Sequence, residues 1–449
     1  MSASIRRESW SSRSSFVMAS VGFAVGLGNI WRFPYLTGEY GGAAFVLVYL
    51  LCAFGIGVPI LMAEILIGRR GRRSPPGSMR AVAEREGRSR HWHLVGGLNL
   101  LAAFLIAVVY CVIIGWVLFY LCQAVATGFA GMDGPAAAAQ FDAVLASTPT
   151  MLSWTLAGLF LTGLIIYAGV EKGIEKAVIV LMPALFGLLV VLVLYNAFAG
   201  GFAQALSWLF TPDFSKLDGG VCLAALGQAF FSIGVAMAAM MTYGAYLPER
   251  ISIGQSAVMI VTADTLVALL AGMVVFPAVF ANGLDPAAGT GLTFKILPIA
   301  FARMPGGHFV GSLFFLLLSV AAITSMIGFV HSLTTWLEES RAYTRQKSVI
   351  VVLIVIAATS VSSIASYNVL SDWKIMGVNL NAGLDFVANQ VLLPIGGFLI
   401  AVFAGWFMSR NSVMEELAIA NDILFGIWRL LIRFAVPTAV ATIFLFGII

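Results

Sequence analysis

The run Gly22-Phe-Ala-Val-Gly-Leu-Gly-Asn-Ile-Trp-Arg-Phe-Pro34 interrupts the chain's first apolar stretch with groups that a membrane helix avoids. Gly22, Gly26 and Gly28 each weaken a helix by about 1 kcal/mol relative to alanine. Asn29 and Arg32 are polar at membrane depth, where such groups are costly unless partnered. Backbone N–H and C=O groups freed by a break persist there only when buried in protein or turned to a ligand. Breaks of this kind hold ions and small solutes near the bilayer midplane. A second stretch, Gly227-Gln-Ala-Phe-Phe-Ser-Ile-Gly-Val-Ala-Met-Ala238, has the same character, with Gln228, Ser232 and Gly234 at midplane. On spacing alone, Thr324 and Ser325 are accounted for by back-bonding to a carbonyl one turn earlier.

The elements that position these residues follow from composition. The chain has 449 residues, 60% hydrophobic and 10% charged, with mean hydropathy +0.98. That balance excludes a soluble domain and implies an all-α polytopic membrane protein. A barrel is excluded because the apolar runs show no alternation. No signal peptide is expected. Eleven spans are expected near residues 15–38, 42–67, 94–124, 152–169, 175–198, 221–246, 255–281, 308–336, 348–366, 384–407 and 430–449. With the N-terminus cytoplasmic, Lys216, Lys295, Arg303 and Lys374 are the only loop cations of the 25 Lys and Arg on the outer side. The positive-inside rule therefore sets that orientation and leaves the C-terminus outside. The basic loop 69–93 reads as a topology anchor against anionic lipid. Residues 126–150 are Ala- and Gly-rich, and 282–307 read as a folded lid. Cys52, Cys111, Cys122 and Cys222 read as free, buried small hydrophobes. His91 and His93 read as interfacial rather than metal ligands, and His331 has no assigned role.

The second break lies five spans after the first. An odd offset gives a repeat that inserts with opposite topology. The expected architecture is a five-plus-five inverted repeat with broken helices 1 and 6: residues 1–198, residues 218–408, and an added span at 422–449.

The first-break motif resembles the first-helix signature of the neurotransmitter:sodium symporter family. So do Gly41-Gly-Ala-Ala-Phe45, Pro59-Ile-Leu-Met-Ala-Glu64, Gly227-Gln-Ala-Phe-Phe-Ser232 and Thr324-Ser325. The likeness runs over essentially the whole chain and is greatest to bacterial eleven-span amino-acid transporters. It implies a membrane carrier with no covalent chemistry. The implied cargo ion, Na⁺, is a hard cation that takes oxygen ligands. One implied sodium site comprises the Ala24 carbonyl, Asn29, Ser232 and Asp264, completed by the substrate carboxylate. The other comprises carbonyls of Gly22, Val25 and Ala321 with the hydroxyls of Thr324 and Ser325.

The resemblance also implies an amino-acid site. The substrate carboxylate lies against the N–H groups of Leu27 and Gly28, at a positive half-helix end, with the Tyr110 hydroxyl. The ammonium takes carbonyls of Ala24, Phe231 and Ser232. Gly26 stands where animal monoamine carriers have an aspartate, which favours an amino acid over an amine. The side-chain pocket is Ile106, Tyr110, Phe231, Gly234, Met237, Ser325 and Phe329. It has no charge and rejects charged side chains on desolvation cost. Gly234, where serine is usual, is expected to add space. Ala236 and Ala238, where relatives often carry glycines, are expected to stiffen the second break.

Gates are implied at both ends. Outside, Arg32 pairs with Asp385, joined by Gln228, above an aromatic lid of Tyr110 and Phe231. Inside, Arg7 and Trp10 meet Glu339 and Tyr246. Glu64 is a candidate acceptor for backbone donors at the breaks. The spacing of Gly173 and Pro183 suits either an unwinding segment of span five or a packing kink. Asp264 replaces a neutral asparagine of chloride-requiring animal relatives, so transport without chloride is expected. The reading is a sodium-coupled symporter of neutral apolar and aromatic amino acids in the plasma membrane, which is the inner membrane if the cell is Gram-negative. Its partners are the substrate and lipid, with no nucleic acid and no obligatory protein. A proton-coupled carrier or exchanger of the same fold is the alternative, and a receptor or channel a more distant one.

Overall fold

Inside a bilayer, apolar runs have no water to bond their backbone and satisfy themselves as helices. The computed structural model describes residues 9–287, 291–375, 377–419 and 421–448. Among these, nine helices are long and apolar enough to cross a membrane: Ala43–Gly71, Arg90–Thr127, Thr148–Tyr167, Val170–Phe198, Ile253–Ala281, Gly307–Arg341, Arg345–Ala365, Leu380–Phe407 and Asp422–Phe446. A tenth crossing is the pair Arg13–Ala24 and Gly28–Glu39, bent by 50° at the expected first break. The remaining expected span is divided into Gly219–Ile233 and Ala239–Ala245. In chain order these are spans 1 to 11, the bent pair being span 1 and the divided one span 6. Span 11 starts eight residues before position 430, because the Asn421 side chain caps it, accepting from Ile423 N–H at 2.9 Å and Leu424 N–H at 3.2 Å.

Spans 3 and 8 pack on each other at the centre; their most apolar windows are each 78% buried. Span 5 runs as Lys176–Ala199 straight through Pro183, after a short π-helical turn at Val170–Glu175. A Cβ on Gly173 would strike the Ile165 carbonyl oxygen. Close packing, not unwinding, is what this glycine serves here.

The connections carry short helices, which the reading of 282–307 as a folded lid anticipated. Residues 126–150 contain helix Gly134–Ala146, and 282–307 contain helix Leu297–Arg303. The basic loop folds as helix Pro75–Arg85. The cysteines are free, but only Cys111 is buried; Cys122 and Cys222 are exposed, on surfaces a bilayer would cover.

Candidate functional site

At the first break the helical ladder stops at Ala24, with Val25 extended. The freed groups have definite partners. Gly26 N–H donates to Asn29 Oδ1 at 3.1 Å and Leu27 N–H to the Tyr110 hydroxyl at 3.2 Å. The Phe23 and Val25 carbonyls accept from Ser325 Oγ at 2.9 and 3.4 Å. The Gly28 carbonyl accepts from Gln228 Nε2 at 2.8 Å. Buried backbone polar groups require such partners, and three distant spans supply them.

The second break turns on three left-handed residues, Gly234 (φ 72°), Ala236 (φ 61°) and Ala238 (φ 65°). Glu64, fully buried in span 2, accepts from Ala236 N–H. That is the role expected of it. Gly234 does not enlarge the pocket as expected: a Cβ there would strike Phe23 Cε1, so the Phe23 ring already fills the space.

The breaks converge on an oxygen-rich cluster that is almost wholly buried. Asn29 Nδ2 donates to Ser232 Oγ at 2.9 Å, to the Asp264 carbonyl at 3.0 Å and to Asp264 Oδ1 at 2.8 Å. Ser232 Oγ donates to Asp264 Oδ2 at 2.7 Å. Tyr49 of span 2, which sequence reasoning missed, donates to the same Oδ2 at 3.4 Å. Among the described residues no group of three or more His, Cys, Asp or Glu could hold a metal ion. The hydroxyl and single-carboxylate oxygens of Ser232 and Asp264 suit a hard cation, while Asn29 turns its Nδ2 to them and its Oδ1 to Gly26 N–H. Ala24, the last helical residue before the break, is buried.

A second meeting point joins the first break to span 8. Ser325 does not back-bond; it reaches across to the carbonyls of residues 23 and 25. Thr324 does back-bond, to Val320 and Ala321 carbonyls, both at 3.0 Å. A Cβ on Gly22 would lie 3.5 Å from Thr324 Cβ, so the first break and span 8 are in close contact there.

The sodium:neurotransmitter symporter family profile matches residues 7–133 and 143–449.

The chain belongs to the sodium:neurotransmitter symporter family.

It is therefore a multi-pass membrane transporter rather than an enzyme, and Na⁺ is its co-transported ion. The sodium-dependent transporter YhdH of Bacillus subtilis (strain 168) is 35% identical over 441 residues, 97% of this chain and 96% of its own length. A sodium-dependent transporter of Haemophilus influenzae is 30% identical, covering 98% of each chain. The crystal structure of MhsT in complex with L-phenylalanine superposes with TM-score 0.90 at 38% identity, over 98% of this chain and 99% of that one.

In this symporter a Cβ on Gly26 would collide with Ser325 Oγ and lie 2.8 Å from the Tyr110 hydroxyl. One on Gly28 would meet the Phe231 ring at 3.2 Å. Ile106, Tyr110 and Phe231 line the floor of a cavity of about 390 Å³. Phe329 packs 5.8 Å from Tyr110 and 5.1 Å from Phe23, centroid to centroid. Met237 is buried within the second break.

Arg32 and Asp385 line the same cavity, yet among the described residues they form no ion pair. The Arg32 guanidinium lies 4.6 Å over the Phe231 ring, and Asp385 accepts from Asn389 Nδ2 at 2.8 Å. Gln228 does not join them; it is committed to Gly28, as given above. At the other face, Trp10 is buried: its backbone N–H donates to the Tyr246 carbonyl at 3.2 Å and its indole to the Tyr243 carbonyl at 3.0 Å. Arg7 lies outside the described residues. Glu339 meets Arg73 Nη1 at 3.7 Å and accepts from Ser74 N–H at 2.7 Å. Glu175, also missed, accepts from Ser11 and Ser15, the latter at 2.5 Å. His331 is buried between Tyr243 and Tyr246, at ring distances of 6.0 and 5.5 Å.

Proposed function

We propose that the chain couples the inward sodium gradient to uptake of neutral apolar amino acids, aromatic ones included, without a chloride requirement. The observation that carries this reading is the cavity of about 390 Å³ that reaches Leu27 at the first break and is walled there by Ile106, Tyr110 and Phe231. Gly26 leaves no room for a side chain of its own, since a Cβ would collide with Ser325 Oγ; a substrate carboxylate at the inner end of the cavity takes the half-helix N–H of Leu27, which the Tyr110 hydroxyl now engages. One sodium ion sits among Asn29, Ser232, Asp264 and the Ala24 carbonyl, touching that carboxylate. The other sits among Gly22, Val25, Ala321, Thr324 and Ser325. Because ion and substrate share a ligand, each raises the other's affinity by the same factor. The uncharged walls, Ile106, Phe231 and Phe329, select apolar side chains, in accord with the L-phenylalanine held by MhsT.

Alternating access comes from rocking spans 1, 2, 6 and 7 against the rest, with residues 1–198 and 218–408 as inverted halves and 422–449 as an added span. The basic face is cytoplasmic, so the Arg32–Asp385 cavity opens outward from the plasma membrane. Purified protein in liposomes, given labelled phenylalanine, leucine, glutamate or lysine with and without a sodium gradient, tests the proposal. Phenylalanine and leucine uptake that needs sodium is the expected result. Sodium-independent uptake, or preference for a charged substrate, overturns it.

A further inference from the structure

Two cavities away from the transport pathway meet at one side chain. The first, about 410 Å³, opens at the basic face against the 73–93 segment. Three guanidiniums line it, those of Arg73, Arg80 and Arg90, with the imidazoles of His91 and His93. Glu339 is the only carboxylate among its lining residues, and Arg73 and the Ser74 N–H already engage it. Arg80 pairs with Glu84 at 2.9 Å, but both side chains are at least half exposed, and such pairs are weak. Arg90 has no ion pair among the described residues. The cavity is therefore net basic and unsatisfied.

The second cavity, about 380 Å³, is a groove between spans 3, 8 and 9. Leu101, Phe104, Leu333, Leu337 and Val355 form its apolar walls. Its base is opened by Gly97, where an added Cβ would meet nothing within 4 Å. Leu101 and Val355 are 49% and 45% exposed, so the groove faces the bilayer. Trp336 lines both cavities, at the level where tryptophan marks a membrane–water interface.

A groove alone accepts any acyl chain, and a basic pocket alone accepts any anion. Joined end to end, they match a ligand with an anionic phosphate head and an attached hydrocarbon chain. We propose that this is a binding site for one anionic glycerophospholipid of the basic-face leaflet. The phosphate lies against Arg73, Arg80 and Arg90, and one acyl chain runs over Gly97 between spans 3, 8 and 9. Basic pockets between membrane helices recognise phospholipid headgroups in this way.

The full-length protein in detergent tests the proposal by thermal unfolding, with phosphatidylglycerol, phosphatidylcholine or glycerol 3-phosphate added. A ligand that binds only the folded state raises the melting temperature as its concentration rises. Phosphatidylglycerol is expected to raise it saturably, and the other two are not. Two variants report separately: R73Q/R80Q/R90Q removes the head contacts, and G97L fills the groove while leaving the arginines. Each is expected to melt like the wild type in detergent alone and to lose the phosphatidylglycerol shift. An equal shift with phosphatidylcholine means a non-selective acyl groove and overturns the proposal. An equal shift with glycerol 3-phosphate means a soluble phosphate ligand and does the same. So does a phosphatidylglycerol shift that survives in both variants. The lipid comparison on the wild type decides the matter even if a variant fails to fold.

Discussion

Asp264 has both carboxylate oxygens committed: Oδ1 to Asn29 at 2.8 Å, Oδ2 to Ser232 at 2.7 Å and Tyr49 at 3.4 Å. A fixed negative charge beside a sodium ion does the work that a chloride ion does beside a neutral residue. Wild-type uptake is therefore expected to persist when gluconate replaces chloride. Asp264→Asn deletes the charge and turns an NH2 group toward existing donors. It is expected to abolish uptake or make it chloride-responsive; wild-type uptake that collapses in gluconate refutes the assignment. Ser325 gives a second test. Its hydroxyl spans from span 8 to the first break, which back-bonding would not do. Loss of one ligand to a charged group costs about 1.5–3 kcal/mol. Ser325→Ala should thus raise the sodium concentration for half-maximal uptake about tenfold or more, and an unchanged sodium curve counts against the second ion site. Asn29, Ser232 and Asp264 were legible as polar residues stranded in apolar spans. Tyr49 was not, because in Val46-Leu47-Val48-Tyr49 a tyrosine reads as an apolar filler, and only the fold shows where its hydroxyl points.

At the scale of the element, the broken helices were the most legible feature, since glycines and polar groups at membrane depth leave few alternatives to a break. What fills a break was not legible. Gly234 reads as added volume from its own span, but the Phe23 ring that occupies the volume comes from another. Chain order also gave no sign that Gln228 turns to the Gly28 carbonyl rather than to Arg32. The second break contains a local conflict: Ala236 and Ala238 hold φ values of 61° and 65°, which alanine adopts at a cost. Left-handed backbone costs an L-residue roughly 1–2 kcal/mol, which glycine escapes. Part of that gain is returned as glycine's larger unfolded-state entropy. Ala238→Gly is accordingly expected to stabilise the protein by up to about 1 kcal/mol, read as a higher melting temperature in detergent. A lower melting temperature would show that the packing around the Ala238 methyl outweighs the backbone strain. The Glu64 carboxylate holds the neighbouring Ala236 N–H, so Glu64→Leu should destabilise by about 1–3 kcal/mol by orphaning a buried donor.

At the scale of the whole molecule the two faces differ. On the basic face, Trp10 is buried under span 6, and Ser11 and Ser15 are tied to Glu175 of span 5. On the opposite face, a cavity of about 390 Å³ runs down to Leu27, Tyr110 and Phe231. A cavity thus reaches the site from the face opposite the basic one. Among the described residues Arg32 and Asp385 form no ion pair; they line the cavity from spans 1 and 10, which lie in different halves of the proposed rocking motion. An unpaired guanidinium at that depth is held for now by the Phe231 ring. In the proposed mechanism, closure brings the two charges together and traps the substrate beneath. A thiol placed at Ala382, which lines the cavity, should react with a membrane-impermeant reagent in the absence of sodium and phenylalanine. With both present it should be protected several-fold. Arg32→Ala or Asp385→Ala should each remove that protection, and the double variant should lose no more than either alone, because the pair acts as a unit. Protection lost independently and additively would mean that the cavity closes by some other contact.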